Sequence, residues 1–153
     1  IAPQTTLTPM PAAPALLGSA AFEAAVAAAR REDYATTIAL LRPLAERDHA
    51  DAQAMLAASY RRGHGVAKDD AAAMHWYRRA AEQGHIAAQY FLGLMLGRTA
   101  PQDRVASYMW LALAAAQGDA DAAKRRDALA VQMTTAQLDE GKRRASEWMP
   151  AKR

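Results

Sequence analysis

A period of about 34 residues limits what this chain can fold into. Trp76 and Trp110 are 34 residues apart, Gly84 and Gly118 are also 34 apart, and Leu56 and Leu92 are 36 apart. The stretch AQAMLAASYRRGHGVAKDDAAAMHWYRRAAEQG, from Ala52 to Gly84, is echoed by AAQYFLGLML and then by Tyr108-Met109-Trp110-Leu111, Ala114-Ala115 and Gly118. A unit of this length holds one pair of helices, which cannot bury its apolar faces alone. The spacing therefore predicts helical hairpins stacked on one another.

Composition agrees with helix. Alanine, leucine and methionine dominate the apolar residues, β-branched residues rarely occur in runs, and no segment reads convincingly as a strand. A chain of 153 residues is one domain's worth. The absence of cysteine excludes disulfides and thiolate metal sites. No apolar run approaches the roughly 18 to 20 residues of a membrane-spanning helix.

The charge is unevenly placed. Residues 19–123 carry 11 Lys+Arg against 12 Asp+Glu, whereas residues 124–153 carry 8 against 4, so the formal +3 comes from the last thirty residues. The repeats themselves are nearly neutral. At the other end, residues 1–18 hold Pro3, Pro9, Pro11 and Pro14 and no charged residue. They are expected to form an extended, polyproline-like leader. Such a segment resembles the mature end left after signal-peptide removal, which suggests a periplasmic or otherwise exported protein, a cytoplasmic one being the other reading.

From Ser19 the pattern turns helical, with a break at Glu32-Asp33 and a second helix from Tyr34 to Glu46. Ile38, Leu41, Leu44 and Ala45 recur at three- and four-residue steps and mark its buried face. Pro43 inside that helix predicts a kink or a frayed last turn, since an interior proline costs about 3 kcal/mol in an isolated helix. The second hairpin pairs Ala50–Arg62 with Asp70–Gln83, with Gly63 and Gly65 releasing the chain from helix and Asp69 placed to cap the next one. Ala73, Trp76, Tyr77, Ala80 and Ala81 form its apolar stripe, and Gly84 closes it. The third hairpin pairs Ile86–Gly97 with Asp103–Gln117. A last pair, Asp121–Met133 and Ala136–Met149, is more polar, as a capping unit requires, and its second helix opens with a Thr134/Gln137 capping box.

These residues resemble the Sel-like repeat (SLR) family, a relative of the tetratricopeptide repeat. The match runs through Ala52-Gln53, Leu56-Ala57, Tyr60, Gly63-His64-Gly65-Val66, Asp69 or Asp70, Trp76-Tyr77, Ala80-Ala81 and Gly84. The next copy keeps Ala88-Gln89, Leu92-Gly93, Trp110, Ala114-Ala115 and Gly118, but loses the Gly-x-Gly-Val loop and has Leu96 for tyrosine. The resemblance implies an all-α, right-handed α-α solenoid of three to four hairpins that serves as an adaptor or scaffold for other proteins. Its expected layout is a leader (1–18), a degenerate first hairpin (19–48), two repeats (49–84 and 85–118), a C-terminal capping hairpin (119–149) and a tail (150–153).

In a two-helix solenoid the first helix of each pair lines the inner surface. Aligning the copies places Phe22, Val26 and Arg30, then Ala54, Ala58, Arg61 and Arg62, then Tyr90, Leu94 and Arg98, with Lys124 beyond them, as candidate partner-binding residues. Arg30, Arg62 and Arg98 occupy one equivalent position and are expected to stack as a guanidinium ladder. A planar fork suits carboxylates, so the expected partner is a protein or an extended peptide, acidic or with a free carboxyl end. Its apolar side chains would rest on Phe22, Tyr90 and Leu94. The plainer alternative is that these arginines complement helix dipoles and stay solvated.

Other chemistry finds little support. His49, His64, His75 and His85 lack metal-ligand spacing, and no serine sits in a G-x-S-x-G elbow. Neither a cofactor cradle nor a catalytic set is present, so no enzymatic activity is expected. The basic clusters Lys124-Arg125-Arg126, Lys142-Arg143-Arg144 and Lys152-Arg153 are expected on different helices without interleaved aromatics apart from Trp148, which argues against nucleic acid. A second functional reading keeps the fold and makes the chain an accessory subunit of a larger assembly, held by its leader and in contact with a membrane only indirectly.

Overall fold

The computed structural model describes residues 14–99 and 101–151, the side chains of 14–17 apart. Among them are eight α-helices and no strand: α1 (Pro14–Arg30), α2 (Tyr34–Glu46), α3 (Ala50–Arg62), α4 (Asp70–Glu82), α5 (Ile86–Thr99), α6 (Arg104–Ala116), α7 (Ala120–Ala130) and α8 (Thr135–Glu147). A 3-10 turn at Pro101–Asp103 precedes α6. The expected leader lies outside the described residues up to residue 13. From Pro14 the chain is already helical, which corrects the extended reading of 14–18. Proline's fixed φ and missing N–H suit a first helical turn, so Pro14 opens the helix that it was expected to prevent.

Four junctions share one device. Glu32, Asp48, Gly84 and Gly118 take left-handed φ values of 60°, 66°, 92° and 101°. The N–H of the next residue then reaches back five positions: Asp33 to Ala28 O at 2.9 Å, and His49, His85 and Asp119 to Leu44, Ala80 and Ala114 O, each at 3.1 Å. This satisfies the orphaned carbonyls of the preceding helix. The same residue then caps the helix that follows. Asp33 Oδ1 accepts from Thr36 N–H, His49 Nδ1 from Ala52 N–H, His85 Nδ1 from Ala88 N–H and Asp119 Oδ1 from Ala122 N–H. Two of the four histidines are therefore helix caps. His85 also places Nε2 3.1 Å from Asp51 Oδ1, joining two successive first helices.

From α1 to α6 each helix packs on the next one in the chain, which makes three hairpins in series. Pro43 does not break α2, because it falls in the last turn, where its carbonyl still receives Arg47 N–H at 3.3 Å and Leu44 and Ala45 remain buried. Leu41, Leu44, Ala45 and Leu56 build one core cluster; Tyr77, Leu92, Leu96 and Trp110 build the next. Trp76 packs against both and so bridges the first two units.

Buried glutamines tie the hairpins together. Gln53, fully buried, donates from Nε2 to Ala45 O at 2.9 Å and accepts at Oε1 from Gln83 Nε2 at 2.8 Å. One repeat later Gln89, also fully buried, donates to Ala81 O at 3.2 Å and accepts from Gln117 Nε2 at 2.6 Å. Each set connects the end of one hairpin to both helices of the next.

The end of the array departs from the expected capping hairpin. α8 packs on α6 rather than pairing with α7. The close approach needs Gly141, which is buried and where an added Cβ would lie 2.7 Å from Tyr108 Cδ1. Beyond α8 the chain turns back along α6: the Trp148 ring meets Trp110 edge-on at 6.1 Å, and Ala151 N–H donates to Glu82 O at 2.8 Å. The C-terminal segment thereby straps the third hairpin to α4.

Candidate functional site

Stacked hairpins leave a crevice wherever the end of one first helix, the start of its partner and the next first helix fail to close. Among the described residues such crevices recur at equivalent places in the array. The first, about 170 Å³, lies among Ala29, Tyr34, Met55, Ala58 and Arg62. The middle one, about 350 Å³, lies among Arg61, Lys68, Asp70, Met95 and Arg98. The last, about 210 Å³, lies among Leu94, Gly97, Arg98, Arg125 and Leu129. Adding 36 residues to Tyr34, Ser59 and Arg62 of the first crevice gives Asp70, Met95 and Arg98 of the middle one, so the same positions recur as lining residues.

The walls between crevices are the C-terminal turns of α3 and α5. Arg62 faces the first crevice and its neighbour Arg61 the middle one. Arg98 borders both the middle crevice and the last. The middle crevice thus gathers Arg61, Lys68 and Arg98 against a single carboxylate, Asp70. Among the described residues none of these four side chains forms a salt bridge within 4 Å.

Arg61 is held in advance. Its guanidinium carbon lies 4.5 Å from the centroid of the Phe91 ring, and its Nε donates to Tyr77 Oη at 3.4 Å. Phe91 in turn stacks on Tyr77 at 5.4 Å. Burial pushes the Tyr77 phenol above its ordinary pKa, with the Arg61 hydrogen bond acting against that rise. A cation stacked this way keeps its planar fork oriented at small entropic cost.

The candidate residues fall into separate groups. Arg62 and Ala58 share the first crevice, Arg61 and Arg98 the middle one, and Leu94 and Arg98 the last. Arg30 is exposed in the last turn of α1, but Ala29 is what lines the first crevice, so the expected ladder has two rungs in crevices and a third outside them. Lys124 is exposed, and its neighbour Arg125 lines the last crevice instead. Ala54 lies in the core with Tyr77 and Leu92, a correction to its placement as a partner contact, because its methyl group is spent on helix packing. Phe22 stacks on His49 at 5.1 Å and packs with Ala25 and Leu41. Tyr90 and Leu94 pack against Leu111 and Ala114, and Val26 is half-buried on α1.

Sequence reasoning missed Lys68, Met95 and Arg125. Lys68 is in a loop and repeat alignment weighs only helix positions. Arg125 belongs to a run of basic residues in which alignment selects Lys124 instead. Among the described residues no three His, Asp or Glu side chains gather as a metal site, and no helix is long and apolar enough to cross a membrane.

Paired helices repeated in register, with crevices between repeats, define an α-solenoid. Residues 50–85 and 86–119 each match the family model described as Sel1 repeat. A Sel1 repeat protein from Oxalobacter formigenes, solved by crystallography, is 36% identical over 72% of this chain and 87% of that one, with a TM-score of 0.65. A protective antigen of uropathogenic Escherichia coli strains, which displays an SLR fold, superposes with a TM-score of 0.79 at 26% identity over 86% of this chain. The match covers 29% of that antigen's length. Comparison with curated proteins found no match. The chain belongs to the Sel1 repeat family. Sel1 repeat proteins are generally protein-interaction scaffolds, and their fold is typically non-catalytic.

Proposed function

We propose that this protein is a non-enzymatic adaptor that holds an extended segment of a partner protein along the row of crevices, with arginine forks taking carboxylates of that segment. The observation that carries this reading is the recurrence of one arginine-lined crevice between successive hairpins, richest in positive charge in the middle. A repeated concave element on a rigid scaffold suits an extended ligand better than a compact one. Tyr90 and Leu94, half-buried beside the last crevice, provide apolar surface for side chains between the carboxylates.

The test is partner capture from native extract by the whole chain and by an Arg62→Ala/Arg98→Ala variant. Both arginines are exposed, so helicity and melting should be unchanged while partner recovery falls. Equal recovery by the two proteins would remove the crevice row as the binding surface.

A further inference from the structure

The middle crevice differs from those beside it in size and in lining. At about 350 Å³ it reaches the size range of ligand pockets, which the crevices of about 170 Å³ and 210 Å³ do not. Its lining has two parts. Arg61, Lys68 and Arg98 supply three cations against the carboxylate of Asp70. Met74 and Met95, both half-buried, supply apolar surface continuous with the core cluster of Tyr77, Leu92 and Trp110. The remaining lining residue, Thr99, spends its hydroxyl on Leu96 O at 2.9 Å and Asp103 Oδ2 at 2.6 Å. Recognition in this crevice falls to the charged groups and the methionines.

We infer that the middle crevice receives the C-terminal residue of the partner segment, its α-carboxylate on the terminal nitrogens of Arg61 and its apolar side chain on Met74 and Met95. This rests on the adaptor reading and adds to it which part of the partner is the anchor. Arg61 is already oriented by Phe91 and Tyr77, with Nε committed to Tyr77 and the two terminal nitrogens making no hydrogen bond among the described residues. Those nitrogens can receive a carboxylate while the ring keeps the fork in place. Lys68 and Arg98 keep the surroundings positive, and Asp70 is the group that accepts the backbone N–H of the bound residue. A chain-terminal residue carries a carboxylate and a side chain on the same carbon, so a single residue meets both parts of the lining. An internal aspartate or glutamate holds its carboxylate at the tip of its only side chain and leaves the methionines empty. Methionine's flexible thioether adapts to aliphatic side chains of differing shape.

The experiment is an NMR titration of the full chain, labelled with nitrogen-15, with short acetylated peptides. The first is Gly-Ser-Gly-Ser-Gly-Leu with a free carboxyl end, and the second is its C-terminal amide. The third ends in glycine instead of leucine, with the carboxyl free. The fourth, Gly-Ser-Gly-Glu-Leu-Gly amide, offers an internal carboxylate beside a leucine. The first should shift the signals of Arg61, Lys68, Met74 and Met95 and should bind at least about tenfold more tightly than its amide, since a charge-assisted hydrogen bond from arginine to carboxylate is worth a factor of that order. Loss of the leucine side chain should also weaken it by about tenfold. Its affinity should fall as salt is raised. Arg61→Gln and Lys68→Gln should each weaken it by several fold to about tenfold, and Arg30→Gln, outside the crevices, should not.

Equal binding of the acid and its amide, or no binding of the acid, would overturn the inference. So would binding of the internal glutamate peptide as tight as that of the free acid, or signal shifts confined to another surface. If Arg62→Ala/Arg98→Ala still lost its native partner in any of these cases, the adaptor reading would stand without the terminal anchor.

Discussion

Replacing Gln53 with alanine removes the middle member of a hydrogen-bonded chain that spans α2, α3 and α4. Gln53 is fully buried and makes three side-chain bonds: to Ala45 O at 2.9 Å, to Asp48 Oδ1 at 3.3 Å, and from Gln83 Nε2 at 2.8 Å. Two partners keep other bonds in its absence, since Ala45 O still receives Asp48 N–H and Gln83 Nε2 still reaches Arg79 O. The full penalty of an orphaned buried group therefore does not apply. What is lost is about 1 kcal/mol for each of three bonds, partly offset by relaxation, plus the packing of the removed side chain, a total of about 2–4 kcal/mol. Gln89 makes two such bonds rather than three, so Gln89→Ala should cost about 1 kcal/mol less. Urea unfolding followed by far-UV circular dichroism measures both, with the m-value checked for constancy. A loss below about 0.5 kcal/mol for Gln53→Ala, the scale of an ordinary surface substitution, would refute the clamp. So would a larger loss for Gln89→Ala than for Gln53→Ala.

Two further outcomes follow from the C-terminal segment. Gly141→Ala should destabilise by about 1–3 kcal/mol despite alanine's better helix propensity, because the new methyl group meets the buried Tyr108 ring at 2.7 Å; thermal melts of the variant beside the parent chain check this. Glu140 has its pKa held down at about 2, from an ordinary 4.5, by hydrogen bonds from Arg143 and then Arg144. A depressed carboxylate pKa means that its contribution is complete above about 4.5 and is lost as pH falls from there towards 2. Carboxyl-carbon NMR titration should place the Glu140 midpoint near 2, and a midpoint near 4.5 would remove these hydrogen bonds from the account of α8.

The parts of this architecture readable from sequence are those that recur locally. Trp76 and Trp110, Gly84 and Gly118, and the Ala-Gln pairs at 52–53 and 88–89 reported a period, and the period gave the hairpins and their order. Helix boundaries followed because caps are local: Asp69 and Thr134 need only the N–H groups two or three residues on. The crevices were only partly legible. Arg62 and Arg98 were found by alignment, but whether a residue lines a crevice depends on how far adjacent hairpins splay, which no single repeat encodes. Arg30 shows this. It matches Arg62 in alignment, yet the first crevice has Ala29 on its wall instead.

The placement of α8 was invisible for a related reason. A polar terminal helix with a capping box reads as the partner of the helix before it, and only Gly141, a poor helix former in mid-helix, hinted that another surface came close. Its consequence reaches the binding surface. With α8 on α6, Trp148 against Trp110 and Ala151 bonded to Glu82, the chain's own C-terminal segment occupies the Trp110 side of α6 and reaches the end of α4. That side has apolar area but is already covered. The crevices at the ends of α3 and α5 are uncovered among the described residues and carry the unpaired cations Lys68 and Arg98 beside the oriented Arg61. For the adaptor proposed above, the strap leaves the charged edge as the open surface, where long-range attraction would favour an acidic partner segment.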